Sequence, residues 1–221
     1  MRNIPWGGIL ENMNKILLFC FLLLFNKGAF SHPVIYKDGI VTWVTLTGDS
    51  NESRVSYSLT SRFGIEANSS YYENVDSIRD YSLGLNFLFK RWIQKNSQAN
   101  LYGQIHGGYF KKDRTQDEGF LSHASIMADW ESREWFVSGK VKGMYLMEDF
   151  LPKYNFRIGF APYVAGMNAL QTWMIVQLSY FQESKDQLIV TPLMRFFYRN
   201  ALWEIGANLE GNFFLSLMTH I

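Results

Sequence analysis

Two histidines, His106 and His123, fall in neighbouring segments whose alternation points both side chains the same way. With Ser122 or Ser125 as nucleophile and Asp129 as orienting acid, they hold the residue types of an acyl-transfer relay. The spacing does not favour that chemistry. Ser122 adjoins His123, so on a strand the two side chains point to opposite faces. The remaining set has no distinctive interval. Metal chemistry is equally thin. Four histidines, His32, His106, His123 and His220, form no pair at ligand spacing and have no carboxylate cluster beside them. Cleavage after Ser31 would leave His32 as a terminal residue whose amine and imidazole can chelate Cu(II). Pro33 follows it, and no second histidine is near in sequence. No catalytic residue, metal or cofactor is assigned.

The larger set of chemistry-bearing residues is charged: Glu66, Lys90, Asp129, Glu131, Glu134, Lys140, Lys142, Arg157, Arg195, Arg199 and Glu204. These lie in segments of period two rather than 3.6. Thr172, Met174, Val176, Leu178 and Tyr180 share one face, with Gln171, Gln177 and Ser179 on the other. Trp135, Val137, Gly139, Val141, Gly143 and Tyr145 alternate with Glu134, Ser138, Lys140 and Lys142. Tyr81, Leu83, Leu85, Phe87 and Phe89 alternate with Asp80, Ser82, Asn86 and Lys90. Such alternation over about ten residues is the pattern of a membrane-spanning strand.

The elements that must position these charges are about twelve strands, near 40–47, 53–60, 63–73, 80–91, 98–110, 119–131, 134–147, 154–163, 170–181, 187–198, 202–209 and 212–221. Short breaks rich in Gly, Asn, Asp and Ser separate them. Pro152 reads as a loop residue; Pro162 and Pro192 read as bulges or strand ends, because proline lacks a ladder donor. Ten strands is the alternative, if segments two and three, and ten and eleven, are each one bent strand. The expected fold is all-β, an antiparallel transmembrane β-barrel with short loops over residues 40–221. A soluble sandwich or lipocalin-type barrel also alternates, with its apolar face inward. The many long strands, with charge or amide groups at several levels of the other face, argue against it.

The two ends of the chain agree on a compartment. Met13-Asn14-Lys15, the apolar run from Ile16 to Phe25 and the small-x-small site Ala29-Phe30-Ser31 read as a secretory signal peptide. That run has ten residues, against roughly 20 for a spanning helix. Residues 1–12 add nothing a signal needs, which points to Met13 as the start. Residues 1–31 are thus expected to be an extension and a cleaved signal, and 32–39 a periplasmic lead. The only cysteine, Cys20, lies inside the apolar run, so the mature chain would hold no disulfide. At the other end Phe213, Leu215, Leu217, Thr219 and Ile221 share one face of a last strand; Asn212, Ser216 and His220 lie on the other.

Signal, alternating strands and the Phe213–Ile221 ending together resemble Gram-negative outer-membrane β-barrel proteins. The likeness spans the mature chain and is generic. Ile221 stands where phenylalanine is commonest in such endings, and Thr219 interrupts the apolar face. The resemblance implies export through the inner membrane, residence in the outer membrane against lipid, and delivery by the barrel-assembly machinery through Phe213, Leu215, Leu217 and Ile221. With the apolar face against lipid, the polar face is the barrel interior, and the charges named above are expected in the lumen or at its rims.

Composition fits. Mean hydropathy of −0.10 is too polar for a polytopic helical protein. Aromatic residues make up 17% of the chain, and barrels place such side chains in interfacial girdles. Removing Arg2, Lys15, Lys27 and Glu11 with the signal leaves 18 of 21 basic and 19 of 20 acidic residues, a balance that suggests no nucleic-acid partner. The expectation is a monomeric, narrow passive pore or transport accessory. A non-conducting structural or adhesive barrel with a salt-bridged lumen is the second reading, and a lipid-modifying enzyme the third.

Overall fold

The computed structural model describes residues 36–73, 77–147, 149–166, 169–181 and 188–221. The signal-peptide reading, the Met13 start and His32 lie outside the described residues. Twelve strands run β1 Ile40–Thr47, β2 Ser50–Ser58, β3 Phe63–Tyr72, β4 Ile78–Ile93, β5 Ser97–Lys112, β6 Glu118–Ser132, β7 Trp135–Leu146, β8 Asp149–Phe160, β9 Gln171–Phe181, β10 Leu188–Tyr198, β11 Ala201–Ala207 and β12 Phe213–His220. Each pairs antiparallel with its sequence neighbours, and β12 pairs with β1, so the sheet closes into a barrel. Closure removes the free edges that an open sheet would leave unpaired.

The segments suspected of being single bent strands are true hairpins. Residues 59–62 turn between β2 and β3, with Thr60 N donating to Phe63 O at 3.0 Å. Arg199 and Asn200 join β10 to β11, Arg199 at φ 55°. Pro152 is not in a loop. It lies inside β8, opposite Gly143, and β8 starts earlier than residue 154. Pro162 is beyond the end of β8, whereas Pro192 lies within β10. The β10–β11 ladder begins at the next residue, Leu193.

Because strand side chains alternate, the register settles which face each residue takes. Outward-facing side chains are apolar over the middle of the wall: Leu83 is 71% exposed, Ile126 60% and Ile205 55%. Aromatic residues stand outward near both ends. Trp92, Trp130, Trp135 and Phe160 are near the end carrying the chain termini, and Tyr81, Tyr109, Tyr145 and Phe150 near the far end. The inner face is polar at mid-height and apolar in patches. Ile78, Phe110, Leu121, Met144, Leu146 and Leu151 pack together inside the far end of β4–β8. Val41, Leu202 and Met218 pack inside the opposite end of β1, β11 and β12. These clusters narrow the bore on part of its circumference.

Candidate functional site

The interior is the candidate site. It holds a cavity of about 300 Å³, lined from Gly48, Asp49, Asn208 and Asn212 in the far-end turns down to Glu131 and Phe136 near the other end. Twelve strands enclose more than the eight that side chains fill completely.

On one wall Glu204 of β11 is fully buried and accepts from two guanidinium groups. Arg157 Nη1 lies 3.1 Å from Oε1 and 3.3 Å from Oε2. Arg195 Nε and Nη2 each lie 2.8 Å from Oε1. Arg157 Nε donates to Gln177 Oε1 at 2.8 Å, and the Arg195 guanidinium lies 4.4 Å over the Phe136 ring. The carboxylate is thus covered by its two cations. The arginines line the cavity and the glutamate does not.

On the facing wall a polar chain runs around the circumference. Ser56 Oγ and Asn86 Nδ2 donate to Glu66 Oε2 at 2.5 and 2.9 Å. Gln104 Nε2 donates to Asn86 Oδ1 at 2.9 Å. Gln104 Oε1 accepts from Ser125 Oγ at 2.9 Å and from Lys140 Nζ at 2.8 Å. Asn68 Nδ2 donates to Asp80 at 3.2 Å. Towards the terminal end Asn100 joins Arg91, at 2.7 Å, to Asp129, also at 2.7 Å. Such linked contacts satisfy polar groups that would be costly to bury alone.

His106 and His123 are direct partners across β5 and β6, and their rings stack with centroids 4.2 Å apart. His106 Nε2 is 3.4 Å from Glu66 Oε1; His123 Nε2 is 3.5 Å from Ser82 Oγ. Ser125 is bonded to Gln104 and Asp129 to Asn100, so neither contacts a histidine in a relay. Ser122 faces outward, opposite Tyr145. His220 lies on the inner face of β12, opposite Val41.

Of the sequence-expected lumen residues, Glu66, Asp129, Glu131, Lys140, Lys142, Arg157, Arg195 and Glu204 stand on the inner face. Two do not. The β4–β5 register shifts between Leu88 and Lys90, inserting Phe89 as an unpaired residue. A one-residue bulge reverses every side chain beyond it. Lys90 therefore stands outward opposite Leu101, its Nζ 5.4 Å from the Trp92 ring, and Arg91 takes the inward place opposite Asn100. Arg199 is in the β10–β11 turn, exposed, with its guanidinium 5.2 Å over Tyr198. Glu134 is in the exposed β6–β7 turn. Phe213, Leu215, Leu217 and Ile221 share the outward face of the last strand with Thr219.

Sequence reading missed the inward residues Glu52, Arg54 and Lys153. β2 turns Asn51, Ser53, Val55 and Tyr57 outward, so both its faces are largely polar and alternation is faint. The signal for Lys153 was present. The outward series Tyr154, Phe156, Ile158, Phe160 continues backward through Pro152 to Phe150.

No protein-family model and no curated protein matches the chain. Among solved structures it is similar to the KdgM porin, at 8% identity over 82% of this chain and 98% of the porin, TM-score 0.45. A KdgM porin in complex with disordered oligogalacturonate gives 7% identity over 82% and 97%, TM-score 0.46. The outer-membrane channel DcaP of Acinetobacter baumannii gives 10% over 77% and 62%, TM-score 0.39. At such values the likeness is one of general shape. The strand pairing within this chain establishes its architecture: a closed, antiparallel, twelve-stranded, all-β barrel.

Proposed function

We propose that this chain is an integral outer-membrane barrel acting as a narrow passive pore for small hydrophilic solutes. The observation that carries the reading is the cavity of about 300 Å³, lined by charged and amide side chains among aromatic ones, that extends from the far-end turns to Glu131 and Phe136 inside an apolar outer wall. Outward Leu83, Ile126 and Ile205 suit lipid, while buried Lys142 and Glu204 are kept from it. Charge facing lipid at the midplane costs roughly 2–4 kcal/mol, which favours this orientation. Aromatic residues near both ends would sit at the two interfaces. The outward face of Phe213, Leu215, Leu217 and Ile221 would serve the barrel-assembly machinery as a docking strand, with the mature protein a monomer in lipid.

Reconstitution into planar bilayers tests the pore. Stepwise single-channel conductance is expected from the heat-modifiable, folded protein. Folded protein that inserts and gives no steps would show that the inner clusters and ion pairs close the bore, leaving a structural barrel.

A further inference from the structure

Lys142 of β7 and Lys153 of β8 are direct cross-strand partners, both turned into the bore. Like charges placed opposite each other destabilise a sheet. Their surroundings supply little relief. Among the described residues no carboxylate oxygen lies within 4.0 Å of Lys140, Lys142 or Lys153; the ion pairs found there involve Arg54, Arg79, His106, Arg157 and Arg195. Lys153 Nζ instead lies 5.4 Å from the Tyr72 ring and 5.8 Å from Phe181. Among the described residues the hydrogen bond of Lys140 goes to the neutral Gln104 amide oxygen, at 2.8 Å.

The carboxylates of this region are committed elsewhere. Glu66 and Asp80 are bonded into the wall and do not line the cavity. Glu52 does line it and is 3.6 Å from Arg54 Nε, so one carboxylate faces Arg54 and the three lysines together. Across the bore Glu204 is hidden behind Arg157 and Arg195. The cavity lining therefore carries an excess of cations: Arg54, Lys140, Lys142, Lys153, Arg157 and Arg195 against Asp49, Glu52, Asp129 and Glu131. A narrow, low-dielectric passage with an excess of one sign of charge concentrates the opposite ion.

We propose that Lys140, Lys142 and Lys153, with Arg54 beside them, form a binding station for small solutes bearing anionic oxygens, carboxylate or phosphate, and that the barrel is anion-preferring. This rests on the pore reading above. The Lys142–Lys153 opposition is the determinant, since an entering anion relieves the repulsion between them.

The test is the reversal potential of the reconstituted protein under a KCl gradient. The wild type is expected on the chloride side of zero. Lys142→Gln with Lys153→Gln is expected to shift it towards zero, and Lys142→Arg with Lys153→Arg to keep it. A wild-type potential at zero or on the potassium side, or one unmoved by the glutamine pair, overturns the anion station while leaving a pore. Absence of any conductance defeats the pore reading instead. Should the glutamine pair not fold, the wild type alone decides. Sodium malonate and inorganic phosphate should each reduce chloride current saturably, and glucose should not. Reduction by only one of the two anions identifies the preferred oxyanion, and reduction by neither overturns the station.

Discussion

The hydroxyls of Thr42 and Thr219 lie 2.6 Å apart across the β1–β12 seam, on the outward face where the barrel closes. Thr219 is the residue that interrupts the apolar face of the last strand, and it is 2% exposed. A hydroxyl with its partner beside it can face an apolar surround; one without a partner pays for desolvation. Thr219→Val is thus expected to destabilise by about 1–3 kcal/mol by orphaning Thr42, and Thr42→Val by a similar amount. The double valine variant should recover most of the loss. Urea unfolding midpoints in lipid vesicles would show it, and additive losses in the double variant would mean the pair contributes nothing as a pair.

Much of the architecture was legible because an apolar outer wall and a polar bore impose period two over long stretches. β7 and β9 show it plainly: Trp135, Val137, Val141 and Tyr145 turn outward, as do Met174, Val176, Leu178 and Tyr180. The inward Lys140 and Lys142 of β7 and Gln177 and Ser179 of β9 followed from the same register. What stayed hidden has local causes. The bulge at Phe89 exchanges the faces of Lys90 and Arg91, and no residue there breaks the apparent alternation. Polar residues on both faces of β2 concealed Glu52 and Arg54. Which ion pairs form is a matter of neighbouring strands in three dimensions. Arg157 and Glu204 are 47 residues apart and come together along one wall from β8 and β11.

That meeting carries the second prediction. Glu204 is the shared anion of two inward guanidinium groups, and nothing else bonds Arg195 to a carboxylate within 4.0 Å among the described residues. Removing one partner from a buried pair typically costs about 3–5 kcal/mol, because the remaining charge is left uncompensated. Glu204→Ala should fall in that range. Arg157→Met should cost less, since Arg195 still holds both of its contacts to Oε1. A Glu204→Ala variant with an unfolding midpoint equal to wild type would show that water in the bore screens the triad completely.

Gly84 makes the His106–His123 stack possible. A Cβ added there would sit 2.3 Å from His106 Cγ and 2.4 Å from the Ile105 carbonyl oxygen, and the carbonyl cannot swing aside. Gly84→Ala is expected to displace His106 from Glu66 and destabilise by about 1–3 kcal/mol, the usual range for overpacking. Gly139→Ala, whose Cβ meets nothing within 4 Å, should be neutral. Unfolding midpoints compare the two. Equal stability would mean the β4–β5 ladder yields there without resistance.

The orientation of the wall relative to lipid is the most consequential statement to test. β9 offers both faces within one strand. Val176 faces outward at mid-strand, 42% exposed, and Ser179 faces the cavity. In a bilayer, Val176→Arg places a guanidinium among acyl chains and should cost roughly 2–4 kcal/mol near the midplane. Ser179→Arg places the same group in a bore that already holds Arg157 and Lys153, and should cost clearly less, although it surrenders the hydroxyl bonded by Asn155 and Gln177. A water-soluble barrel predicts the reverse order, because an exposed arginine on its outer wall is harmless and one added inside is not. Unfolding midpoints of the two variants, refolded into vesicles and compared with wild type, decide between them. A harmless Val176→Arg beside a damaging Ser179→Arg would overturn the membrane assignment itself.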